Sequence, residues 1–185
     1  MAGLRRAARV AWFALPVVVW LAVITLASTN LGSSAHTGSV LERLMNGLFG
    51  WKTGPSHESF SVLSVAVRKT AHVVEYLVLA LLLCRALWGL ARGYVTAGRG
   101  AGLAGRGGGR RAGGSGVRRA GGRGILWRLA LVVVPFGAVV AASDEFHQAF
   151  VASRAASPID ALIDVAGVLA GLAVVWLILR GRAAG

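Results

Sequence analysis

The chain has one cysteine, Cys84, and seven acidic residues among 185, and just 15% of its residues are charged. A lone cysteine excludes an intrachain disulfide and any metal centre built on paired cysteines. Inside an apolar run it reads as a small buried hydrophobe. Ordinary soluble domains carry about 25% charged residues, so the shortage of charge points away from a cytosolic enzyme. Lysine is nearly missing too: Lys52 and Lys69 are the two, and the other 18 basic residues are arginine. Four membrane spans of about 20 residues with their loops would use up the chain, leaving no length for a separate soluble catalytic domain.

Apolar sequence is what the chain has in quantity, 56% of residues with a mean hydropathy of +0.67. Four runs stand out, at 11–28, 68–90, 125–143 and 159–179. The first follows Arg5, Arg6 and Arg9, a flank that a secretory signal shares. It ends in Ser28-Thr29-Asn30 without an A-x-A cleavage pattern, which favours a retained span. Pro135 in the third run is tolerable in a membrane helix whose neighbours satisfy the freed carbonyl. The pattern predicts an all-α integral membrane protein with four transmembrane helices.

The basic residues orient it. Both termini and the loop after the second span hold 15 of them, and the opposite side holds five: Arg43, Lys52, Arg68, Lys69 and Arg154. The positive-inside rule therefore predicts an N-in, C-in topology with both termini cytoplasmic. Residues 92–124 are a Gly/Arg-rich tract without apolar periodicity, expected to be a disordered cytoplasmic loop. Its arginines suit contact with anionic lipid, and no nucleic-acid partner is expected. In the outer loop Val40, Leu41, Leu44, Met45, Leu48 and Phe49 recur at helical spacing before Trp51. That stripe predicts an amphipathic helix in the outer interface, although packing over the bundle mouth would produce the same pattern.

Five of the seven acids, Glu75, Asp144, Glu145, Asp160 and Asp164, lie in or beside apolar runs. An ionised group at the bilayer centre costs about 2.5–3.5 kcal/mol on insertion scales, a cost reduced only if such groups meet. On the second span His72 is three and four residues from Glu75 and Tyr76, so the three share a face. Asp144 and Gln148 are four apart at the end of the third. Ser157 and Pro158 suit the cap and first position of the fourth helix, which carries Asp160, Asp164, Gly167 and Gly171 on one face. These residues predict a polar cluster at the outer end of the bundle, with Arg68, Lys69 and Arg154 at its rim. His72, Glu75, Asp144 and Glu145 are the candidate catalytic groups. Arg68, Lys69, Tyr76, Gln148, Arg154, Asp160 and Asp164 are the candidate substrate contacts. Hydrogen bonding between helices alone, at about 0.6–2 kcal/mol per bond, would account equally well for Asp160 and Asp164. A divalent ion among Glu75, Asp144, Glu145 and His147 is conceivable, but no motif such as H-E-x-x-H is present. Neither a metal nor a cofactor is expected.

The segments RKTAHVVEYLVLALLL (68–83) and DEFHQAFVASRAASPIDALIDVAGVLAG (144–171) resemble the VanZ-like family of small bacterial membrane proteins. The matching positions are Lys69, His72, Glu75, Tyr76, Asp144, Glu145, Gln148, Arg154, Asp160, Gly167 and Gly171. Asp164 stands where the family more often carries Asn, and the 92–124 tract is longer and richer in Arg-Gly than usual. The resemblance implies a multi-pass protein of the bacterial cytoplasmic membrane. Its implied role concerns susceptibility to teicoplanin, a lipoglycopeptide that binds cell-wall precursors outside the membrane.

Three functions remain open from the residues. The first is an enzyme or binder for a phosphate-headed membrane lipid such as a lipid-linked cell-wall precursor. There Arg68, Lys69 and Arg154 hold the phosphate, and His72 acts as general acid or base beside Glu75. The second is a protein without chemistry that shields the outer leaflet or binds the drug's lipid tail. The third is ion-coupled transport, disfavoured by four spans and no visible inverted repeat. Gly167 and Gly171 would suit self-association.

Overall fold

In the computed structural model, residues 2–29, 43, 47, 57–102, 121–151 and 157–184 are described. They contain α1 (Ala2–Ala27), α2 (His57–Gly102), α3 (Gly121–Gln148) and α4 (Pro158–Ala184), with no strand among the described residues. Each helix holds an apolar stretch long enough to cross a membrane: Ala7–Ala27, Val65–Ala91, Gly124–Gln148 and Pro158–Gly181, of 21, 27, 25 and 24 residues. At 1.5 Å per residue these reach about 32–40 Å, more than the ~30 Å hydrocarbon core. The four-span expectation holds.

The helices face outward with apolar side chains. Trp12, Leu15 and Val18 on α1, Trp127, Leu131 and Val139 on α3, and Leu162 and Leu177 on α4 are all exposed. In water that much apolar surface would drive association; in hydrocarbon it is the solvated face. The interior is a narrow core of Tyr76, Leu79, Ala80, Cys84, Val133 and Val168. α1 belongs to this bundle: Val17 and Ile24 are buried, and Trp20 Nε1 donates to the Glu75 carbonyl at 2.9 Å.

The closest helix pair is α2 with α4, and glycine sets the approach. A Cβ at Gly167 would sit 2.5 Å from Val73 O, and one at Gly171 would sit 2.7 Å from Ala80 Cβ and 2.8 Å from Leu77 O. Small-xxx-small spacing lets two backbones pack this tightly in lipid, where van der Waals contact drives association. The glycine face is therefore filled by α2 of the same chain.

Two boundaries differ from the hydropathy reading. α2 is helical through Gly102 and α3 begins at Gly121, so both helices run into the tract expected to be a disordered loop. Once a helix is nucleated, each further residue adds a hydrogen bond for one pair of dihedrals fixed, and Ala91, Arg92 and Ala97 are good helix formers. Residues 103–120 lie outside the described residues. So does nearly all of the 40–51 stripe, where Arg43 and Gly47 alone are described, both as helix.

Candidate functional site

The polar side chains converge at one end of the bundle, where α1 and α3 finish and the spans of α2 and α4 begin. Facing each other across α2 and α4 are two polar pairs. Lys69 Nζ meets Asp160 Oδ1 at 2.5 Å. One turn deeper, His72 Nδ1 lies 3.1 Å from Asp164 Oδ1. The four-residue spacing of Asp160 and Asp164 places both carboxylates on one face of α4, as the sequence predicts.

Asp164 is 0% exposed, and its Oδ2 has no hydrogen-bond partner. Its Oδ1 pairs with the His72 imidazole. Tyr76, also 0% exposed, buries its hydroxyl without a partner. Buried polar atoms are nearly always satisfied, and each exception costs about 1–3 kcal/mol, more when charged. On α3, Glu145 Oε1 is likewise buried without a partner, so three helices bring such atoms to the same end of the interior.

α3 contributes Asp144, which is buried and held on both sides. Gln148 Nε2 donates to its Oδ2 at 2.8 Å across one helical turn. Oδ1 faces the hydroxyl of Ser28, just past the end of α1. Ser28 Oγ also lies 2.8 Å from the Ile24 carbonyl, so its single proton serves one acceptor at a time. Donor atoms of His72, Asp144 and Asp164 all fall within 4.8 Å of one another. This is not the set considered from sequence, which grouped Asp144 with Glu75, Glu145 and His147.

Glu145 does a different job. Its Oε2 accepts the Ser157 backbone N–H at 2.8 Å, tying the end of α3 to the start of α4. Pro158 follows as the first helical residue, where a missing N–H costs nothing. Arg68 and Glu75 are half-buried, and Arg154 lies outside the described residues. Ser28 and Trp20 carry contacts that no pattern in the sequence signals, because each works through a partner more than 50 residues away.

Beside the cluster, a half-open cavity of about 400 Å³ runs between α1 and α3. Leu21, Ile24, Val139 and Val140 make its walls apolar, and Asp144 and His147 make one end polar.

A family model described as VanZ/LLP1 matches residues 12–179, from the first span to the last. No curated protein and no solved structure matches the chain.

Proposed function

The chain belongs to the VanZ-like family, and from that premise we propose that it holds a phosphate-headed envelope lipid at the outer face of the bacterial cytoplasmic membrane. The groove between α1 and α3 carries this reading. Apolar walls beside hydrocarbon suit a prenyl or acyl chain, and the end at Asp144 and His147 suits a headgroup. Ligand sites commonly join a mostly apolar lining to a few convergent polar groups.

The excess of basic residues on the opposite side supports an outward polar end, where lipid-linked cell-wall precursors and glycopeptides meet. The reading therefore extends to teicoplanin susceptibility. His72, set between Asp164 and Asp144, is the candidate general acid or base. Tyr76 and Gln148 border the same cluster. Lys69 is engaged by Asp160, so in this reading Arg68, its neighbour in the chain, is the cation that would take the phosphate.

The test is a glycopeptide-sensitive bacterium expressing the wild type, Asp144→Asn or a polar 40–49 variant at matched membrane levels. The expected result is a raised inhibitory concentration for teicoplanin but not vancomycin, abolished by Asp144→Asn and kept by the 40–49 variant. The reverse pattern in the two variants would replace lipid binding by outer-leaflet shielding. A wild type that shifts neither drug would overturn the link to susceptibility.

A further inference from the structure

We propose that His72, Asp144 and Asp164 bind a divalent transition-metal ion of the Zn²⁺ or Mn²⁺ class. Their donor atoms lie within 4.8 Å of one another. An ion bound at about 2.0–2.2 Å from each holds its ligands about 3–4 Å apart, a closure that side-chain rotation alone supplies. Three helices contribute one ligand each, so the site exists only in the folded bundle.

The second observation is Asp164 itself. It is completely buried, its Oδ1 lies 3.1 Å from His72 Nδ1, and its Oδ2 has no hydrogen-bond donor. An ion pair with His72 alone would place one positive charge against the carboxylates of Asp164 and Asp144. A divalent ion balances both, and it gives Asp164 Oδ2 the partner it lacks. Asp144 has the surroundings of a metal ligand. Ser28 and Gln148 orient its two oxygens, and each oxygen keeps a further lone pair for a metal. The imidazole decides the metal class, since Mg²⁺ and Ca²⁺ prefer oxygen alone while Zn²⁺ and Mn²⁺ accept mixed nitrogen and oxygen donors. Three protein ligands would leave a coordination position open, and Asp144 also lines the groove proposed above to hold lipid. Ion binding itself does not depend on that chemistry.

The experiment uses the full chain purified in detergent, stripped with chelator and freed of exchangeable lipid. Zn²⁺ is titrated by equilibrium dialysis with elemental analysis, and Mn²⁺ by loss of its free-ion paramagnetic resonance signal. One ion per chain is expected, together with a rise in apparent Tm on Zn²⁺ addition. Asp164→Asn and His72→Gln should each weaken binding by more than a hundredfold. Ser28→Ala, which touches a ligand without being one, should weaken it by about ten- to a hundredfold. Cys84→Ala, removing the free thiol about three turns further along α2, should bind as wild type does. If Asp164→Asn does not fold, His72→Gln and Ser28→Ala decide the question. A wild type that takes up no ion would overturn the site, as would binding lost in Cys84→Ala but kept in His72→Gln. Because lipid is removed beforehand, failure of the lipid reading leaves this outcome untouched.

Discussion

His72 of α2 and Asp164 of α4 meet at 3.1 Å, one turn inward from the Lys69–Asp160 ion pair. The same two faces continue as Tyr76 against Gly167 and Ala80 against Gly171. Residue numbers rise together along both helices, so α2 and α4 run parallel, with polar contacts at one end and glycine contacts further in. The close backbone approach at the glycines is what brings the Asp164 carboxylate within reach of His72.

Widening that approach should loosen the whole bundle. Gly171→Val has to displace Ala80 and the Leu77 carbonyl, and overpacking of this kind costs about 1–3 kcal/mol. Unfolding in mixed detergent micelles should show that loss. Gly181→Val, with nothing within 4 Å of its added Cβ, should unfold as wild type does. Equal stability of the two variants would contradict the close α2–α4 packing.

Glu145 should behave as a structural link. Glu145→Ala removes the acceptor for the Ser157 N–H and should destabilise by about 1–2 kcal/mol, the scale of a lost helix-start contact. Glu145→Gln retains an oxygen acceptor and should recover most of that loss. A Glu145→Ala variant of wild-type stability but without function would restore the candidate catalytic assignment made from sequence.

Lys69 and Asp160 should be energetically coupled. Their side chains are 39% and 18% exposed, so the coupling in a Lys69→Met, Asp160→Asn double-mutant cycle should be about 1 kcal/mol or less. If Lys69 instead serves as a free phosphate ligand, Lys69→Met alone should lose lipid binding while Asp160→Asn strengthens it. A lipid-binding assay on the two single variants separates these outcomes.

Filling the groove should expel its occupant without touching the polar cluster. Val139→Trp places a ring on the apolar wall between α1 and α3. The purified variant should carry less co-purifying phosphate-headed lipid, measured by mass spectrometry, and should still bind Zn²⁺. Unchanged lipid content would mean that the groove is not where the lipid sits.

Trp20 should report the docking of α1. Trp20→Phe keeps the apolar bulk and removes the donor to the Glu75 carbonyl, a loss of about 0.5–1.5 kcal/mol. Spectroscopic unfolding should register a change of that size.

Composition and pattern were enough for the four spans, for Pro158 at the start of α4, and for the pairing of Asp144 with Gln148 one turn apart. Each of these is a local matter. Hydropathy over about 20 residues decides whether a segment can cross a bilayer, and 3.6-residue periodicity decides which neighbours share a face. The same reasoning placed His72, Asp144 and Asp164 near one end, because charges in hydrocarbon are tolerable only where they meet.

The tertiary structure decided which of them meet. Lys69 and Glu145, read as site residues, have partners in Asp160 and the Ser157 backbone, whereas Ser28, read as nothing, faces Asp144. Asp164, which helix-to-helix hydrogen bonding would have explained equally well, pairs with His72 and keeps one buried oxygen without a donor. Such pairings depend on the rotation and separation of helices far apart in the chain. These are set by how closely glycines let two backbones approach, and no periodicity within a single helix encodes that distance.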